Sequence, residues 1–445
     1  MTLIQLLQFI LSISILVILH ELGHFIPAKL FRTKVEKFYL FFDPWFSLIK
    51  TKIRGTEYGI GWLPFGGYVK IAGMVDESMD TEQLKKPAEP WEFRAKPAWQ
   101  RLIIMLGGVT VNFFLAWAIY TCLSYFKGET YHSNARFENG IAVTQAGEQM
   151  GLKTGDRILK IDGKPAERME TSTVNMLFAN EVTVLRDGKE VTFPVNEDGV
   201  AKVLAEDGAR AYFSPRFPVV ADSIVPNSAA AAAGLMKGDR ITAVNGQPVR
   251  FFDEMTAELK KHSNQAVTLQ VERDGVQQEL NGKIDNEGTL GFVTDTKEAL
   301  KVLDKAQVTQ NYSWAQAIPR GLTRTIDVLV MQVKQFKIIF NTKTQGYKKV
   351  SGPIGIIKQM PETINWEFFW GFTAMFSVWL AFLNLIPIPG LDGGHVMFTL
   401  WEMITGKPVP QKVLENAQMI GVLFLLGLMV LIFGNDIVKW ITGKF

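Results

Sequence analysis

His20-Glu21-Leu22-Gly23-His24 places two imidazoles and a carboxylate at helical spacing. Residues four apart on a helix share a face, about 6 Å apart along the axis. Two such imidazoles can ligate one metal ion, and the intervening Glu21 can take a proton from water. That combination is the core of a zinc peptidase. The chain holds five His in 445 residues, so the pattern draws on a scarce residue type. No charge occurs from Leu3 to Leu19, and three ionisable groups then appear within one turn. A charge at bilayer depth costs about 2.5–3.5 kcal/mol or more, which makes such residues functional candidates. The competing reading is that they cap the helix at the membrane interface.

A catalytic zinc wants three protein ligands and one open position. His132 and His262 lie in a polar insert and read as surface residues. The remaining candidates are in Asn384-Leu-Ile-Pro-Ile-Pro-Gly-Leu-Asp-Gly-Gly-His395. Pro387 and Pro389 stop a helix and free its last carbonyls, and this break is expected to contact substrate. Broken backbone at membrane depth is tolerated where it lines a cavity or is buried in protein. Asp392 follows at once, and its carboxylate would complete a set with His20 and His24 while offsetting the charge of Zn²⁺. Alone, Asp392 would read as a turn residue. His395 is a weaker competitor for the third position. Asn384, just before the break, is placed to bond an unwound substrate backbone or, equally well, to make a contact between helices.

Four uncharged segments could position these groups: Leu3–Leu19, Leu102–Phe126, Phe368–Leu391 and Asn416–Asn435. Each approaches or exceeds the roughly 20 residues needed to cross a bilayer. The first lacks the basic start and small-residue cleavage site of a signal peptide. Hydrophobic residues make up 47% of the chain, high for a soluble protein. The single cysteine, Cys122, excludes an internal disulfide. A net charge of +3, spread widely, argues against a nucleic-acid partner. Lys29, Arg32, Lys34, Lys37, Lys50, Lys52 and Arg54 favour the cytoplasm for the segment after the first span, and hence the outside for the insert after the second.

Between the first two spans, residues 37–71 read as strands at 38–42, 46–53, 58–63 and 67–71, broken at Asp43-Pro44, Gly55 and Pro64. This small sheet should lie at, or dip into, the membrane surface. Gly66-Gly67-Tyr68 could capture an extended substrate segment by edge pairing. Asp76–Lys96 reads as a polar loop with short helical pieces.

The insert contains a repeat. Gly151–Pro165 and Gly234–Pro248 are identical at eight of fifteen positions, 83 residues apart. Ser228 as N-cap, a helix to Ala233, a stop at Gly234, a turn at Gly238-Asp239, a strand at Ile241–Val244 and an Asn245-Gly246 hairpin give the pattern physical sense. It has the look of a PDZ domain, present twice, which would bind extended peptides by strand addition or serve only as packing modules. Asn311–Phe340 carries apolar residues at helical spacing with Arg320, Arg324, Lys334 and Lys337 between them. It reads as an amphipathic helix that lies on the bilayer or packs on the spans.

HELGH in the first span, Gly108-Val-Thr-Val-Asn112 in the second and NxxPxPxLDGxH in the third resemble the site-2 protease family of intramembrane zinc metalloproteases. Two PDZ-like repeats between the second and third of four spans resemble its bacterial, regulator-of-sigma-E branch. Gly352–Ile356 extends the likeness, which covers nearly the whole chain. The resemblance implies Zn²⁺ on His20, His24 and Asp392 with Glu21 as base, and a multi-pass protein of the bacterial inner membrane. The repeats would be periplasmic and the active site would face the cytoplasmic side. It also implies single-span membrane substrates: an anti-sigma factor already shortened outside, and signal-peptide remnants. It likewise implies capture of an extended substrate segment at Gly66, Gly67 and Tyr68.

The expected fold is therefore a polytopic α-helical membrane protein of four transmembrane helices with a small β-sheet and two tandem PDZ domains. Its parts run 1–36, 37–100, 101–127, 128–214, 215–305, 306–365, 366–392 and 393–445. A membrane scaffold with a dead site would have lost Glu21 or a ligand. A zinc transporter would need a polar path onward, and 416–435 offers no ionisable residue. A peptidase of soluble peptides is the hardest alternative to separate.

Overall fold

A computed structural model describes residues 2–74, 87–205, 212–341, 343, 350 and 352–442. The chain falls into two compact units. One comprises 1–128, 311–334 and 350–445; the other comprises 129–310 and 335–349.

In the membrane unit, α1 (Leu3–Leu30) starts on a capping box, with Thr2 and Gln5 bonding each other's backbone N–H. Its buried residues, Gln5, Gln8, Ser12, Leu16, His20, Gly23, His24 and Ala28, form one stripe at spacings of three and four. Leu3, Leu7, Leu11, Ile26 and Leu30 are exposed on the other faces. A helix that is polar inside and apolar outside suits a lipid surround. The motif lies inside this helix and not at its end, because the helix continues eleven residues past the uncharged run, through Pro27.

The spans α2 (Ala98–Lys127), α5 (Trp366–Leu385) and α7 (Gln411–Ile441) complete four helices long and apolar enough to cross a membrane. Ser12 Oγ and Thr373 Oγ1 meet at 2.9 Å between α1 and α5, and Ser377 Oγ donates to the Asn112 carbonyl at 2.7 Å between α5 and α2. The expected third span is too long by six residues. It ends at Leu385, before Pro387, because proline cannot continue the backbone ladder. Asp392 then opens an unanticipated helix, α6 (Asp392–Thr405), where a loop was expected. At 14 residues it is too short to register as a span. The fourth span runs beyond Asn435 and does hold an ionisable residue. Asp436 is fully buried and accepts the backbone N–H groups of Gly352 and Ile354 at 2.8 and 3.0 Å, at the start of α4 (Pro353–Gln359).

The small sheet contains β1 (Val35–Phe42), β2 (Ile49–Ile53), β3 (Thr56–Ile60) and β4 (Leu63–Ile71), ordered β2-β3-β1-β4. β1 runs parallel to β3 and antiparallel to β4. Pro64 sits within β4 and does not break it, since β4 is an edge strand and needs no N–H there. Residues 76–86 of the expected polar loop lie outside the described residues, and Phe93–Ala95 forms one short 3₁₀ turn.

The insert unit holds two modules with the same strand order. In the first, 189–194, 181–186, 157–161 and 164–165 pair in sequence; in the second, 276–283, 266–273, 240–244 and 247–248 do so. Each has its own apolar core, around Ile158, Val182 and Val184 in one and Ile241, Leu269 and Val271 in the other. Asp162-Gly163 and Asn245-Gly246 both take positive φ, as a tight hairpin requires. Asp156 and Asp239 are buried, each in a two-pronged bond with Arg186 or Arg273. The unit reaches past 305: Gln307–Gln310 pairs with Glu129–His132. The stretch 306–365 thus contains this strand, α3 (Trp314–Ile339) and α4, not a single helical linker.

Candidate active site

Helical spacing brings the two imidazoles of α1 together, with their Nε2 atoms 3.2 Å apart. The two prolines end α5 and return the chain so that Asp392 opens α6 beside them. Asp392 Oδ2 lies 3.2 Å from His20 Nε2 and 3.2 Å from His24 Nε2. A carboxylate in the first turn of a helix also faces the positive end of its dipole. Among the described residues this is the one cluster of three metal-ligating side chains.

The cluster suits a zinc ion on two grounds. Ligand atoms bound at about 2.0–2.2 Å in tetrahedral geometry sit roughly 3.3–3.5 Å apart, close to the edges seen here. The lone pairs also converge. His24 Nδ1 lies 2.8 Å from the Ile104 carbonyl, which can only accept, so Nδ1 carries a proton and in the neutral ring Nε2 is the lone pair. Asp392 Oδ2 is buried and accepts no hydrogen bond. Acceptors pressed together in this way call for a cation.

α2 crosses α1 at the motif because neither carries a side chain at the contact. A Cβ on Gly107 would stand 1.9 Å from the Gly23 carbonyl, the oxygen that Pro27 cannot bond. A Cβ on Gly108 would stand 2.5 Å from His24 Nε2 and 2.6 Å from His20 Cε1. Glycine there makes the space that the imidazoles occupy.

The cluster opens on a cavity of about 730 Å³. Glu21, which follows His20 directly in sequence, lines it, and its carboxylate meets the backbone N–H of Val69 in β4. Gly66, Gly67 and Tyr68 line the same cavity from β4. Tyr68 stacks on Tyr39 and donates to Asp43 Oδ1 at 2.9 Å. Burial, and then the Asp43 carboxylate, push its hydroxyl well above the usual range, so it stays a donor. Asn384, in the last turn of α5, lines the cavity with its Nδ2 3.3 Å from His20 Nε2. Pro387 and Pro389 do not line it. They shape the turn, and Pro389 packs against Gly421 of α7. His395 lines the cavity but lies outside the three-ligand cluster; its Nε2 is 2.7 Å from Gln418 Nε2. His132 pairs with Glu170 and His262 with Glu258, within the insert.

In the sequence, Asn112 stands out only as the last residue of Gly108-Val-Thr-Val-Asn112. The structure puts its amide 3.1 Å from His20 Nδ1. A buried amide in an uncharged span was the available signal. Gln418, from α7, also reaches the cavity and carries the same signal, an amide in an uncharged span.

The chain matches peptidase family M50 over residues 8–428. The regulator of sigma-E protease RseP of Escherichia coli is 30% identical over 456 residues, spanning 97% of this chain and 98% of the relative. A protein of Vibrio cholerae named as a zinc metalloprotease is 27% identical, spanning 97% and 98%. The regulator of sigma E protease of Haemophilus influenzae is 27% identical with the same coverage.

Proposed function

This chain belongs to peptidase family M50, the site-2 proteases, and is a zinc metalloprotease; from that premise we propose that it cuts single-span membrane proteins at bilayer depth. The convergence of His20, His24 and Asp392 among apolar-faced helices carries this reading. These three residues would hold the zinc. When bound, zinc acidifies water and polarises a scissile carbonyl. Glu21 accepts the proton of the attacking water and returns it to the leaving amine. A substrate helix must unwind, since helical carbonyls are shielded. The edge of β4 at Gly66, Gly67 and Tyr68 takes the extended segment by strand pairing, and Asn384 bonds its backbone.

The relatives' names carry sigma-E regulation, and we extend that role to this chain. Its substrates are then an anti-sigma factor trimmed beforehand and signal-peptide remnants, in an envelope stress response. The setting is the bacterial inner membrane, with the insert periplasmic and the active site toward the cytoplasm. The repeat modules are PDZ domains that limit substrates by size, since the insert unit contributes no member of the three-ligand cluster. The test compares a single-span peptide with its soluble fragment in detergent, alongside the zinc content of the protein. Cleavage of the single-span peptide alone, with one zinc per chain, is expected. Equal cleavage of both would make the protein a peptidase of soluble peptides.

A further inference from the structure

We propose that Asn112 is a positioning residue that fixes the proton of His20, so that the face of α2 at Ile104, Gly108 and Asn112 holds both imidazoles ready for metal. This rests on the ligand set proposed above. To ligate through Nε2, an imidazole must keep its proton on Nδ1, and that proton needs an acceptor. His24 has one in the Ile104 carbonyl. His20 Nδ1 meets the Asn112 side chain, 3.1 Å away and fully buried.

The two ends of an amide are alike in shape, and its orientation follows from the network around it. With the Asn112 nitrogen toward the ring, two donors would face each other in the ligating tautomer. Asn112 Oδ1 would meanwhile stay buried without a partner. With the amide turned, Oδ1 accepts the Nδ1 proton of the ligating tautomer. A second contact agrees. The Asn384 amide lies 3.3 Å from His20 Nε2, and turned so that Nδ2 faces the ring it serves the same tautomer.

Position and spacing fit the role. Ile104, Gly108 and Asn112 recur every four residues on one face of α2. The first bonds His24, the second leaves room for both rings, and the third bonds His20. The Ser377 hydroxyl bonds the Asn112 carbonyl and ties this turn to α5. The His24 acceptor is backbone and cannot be removed by mutation, whereas the His20 acceptor is a side chain and can.

The experiment is zinc retention against a competing chelator, on full-length protein in detergent, for wild type, Asn112→Leu and Asn112→Asp. Leu fills the space and accepts nothing, so zinc affinity should fall about 10- to 100-fold. Asp accepts, so affinity should stay near wild type. A packing role predicts the reverse order, because Asp buries a charge and Leu does not. If N112D does not fold by thermal unfolding, Asn112→Ser keeps an acceptor without the charge and should still outrank Asn112→Leu. Equal zinc affinity in all variants, or Leu above Asp and Ser, would overturn the role of Asn112. Wild-type protein that binds no zinc would overturn the ligand set instead.

Discussion

Both units contain apolar clusters, but they differ in the polar groups buried beside them. The insert modules hide Ile158, Val182, Ile241 and Leu269 and, apart from paired groups such as Asp156 and Asp239, keep most charges outside, as water-soluble domains do. The membrane unit hides Gln5, Ser12, His20, Asn112, Ser377 and Asp436 and exposes Leu7, Leu11, Leu423, Phe424 and Leu431. In water, burying apolar surface holds a fold together. In lipid that term vanishes between helices, and packing with scattered polar contacts must serve. One chain thus carries two kinds of interior, and only the polar one can do chemistry.

The comparison predicts different failures in the two units. The largest effect should come from Glu21→Gln. It keeps shape and zinc but loses the proton acceptor, so cleavage should fall at least ~10²–10⁴-fold at unchanged zinc content. Substantial turnover would remove Glu21 as base. Ile241→Asp should do the opposite, unfolding a module while sparing the site. Ile241 is 1% exposed, and an unpaired charge there costs about 4 kcal/mol or more. On the size-limit reading, this variant cuts untrimmed substrates that wild type rejects, and both cut trimmed ones. Loss of both cleavages would mean that the modules present substrate.

A smaller effect concerns Asp239. Burial pushes its carboxyl up, but the Arg273 guanidinium and the Met236 N–H outweigh this and hold it below the usual range. A depressed folded pKa gives stability that is present above the unfolded value, near ~3.9, and is lost as pH falls through the folded one. Stability of the Asp239→Asn protein should therefore depend less on pH below about pH 4, followed by denaturant unfolding. An unchanged slope would show that other acids dominate. The smallest effect should be Ser12→Ala, which removes one bond inside the membrane unit. Such bonds average about 0.6 kcal/mol, so thermal unfolding in detergent should barely move.

The difference between interiors also explains what was legible in the sequence. Four uncharged runs announced the spans, and the repeat announced two similar modules, because each pattern is local. HExxH could be read because one helix sets its geometry. Asp392 needed the further inference that two prolines break a helix. What stayed hidden depends on several helices at once. α6 was too short and too mixed to stand out, and Asp436 lay just past the uncharged run that defined its span. Asn112 and Gly108 matter only because α2 crosses α1 at Gly23, a fact that no single segment contains. Pro64 looked like a strand breaker because edge position is a property of the sheet, not of the residue.

The wide separation of His24 from Asp392 along the chain has a consequence in time. Ribosomes release the two histidines early and the carboxylate only after the whole insert has been made. A growing chain therefore carries two of the three proposed ligands for most of its synthesis, which is too few for a catalytic zinc site. A chain that stalls or is degraded before residue 392 yields an inert fragment in the bilayer. The order of the residues itself thus delays proteolytic activity until Asp392 has been made.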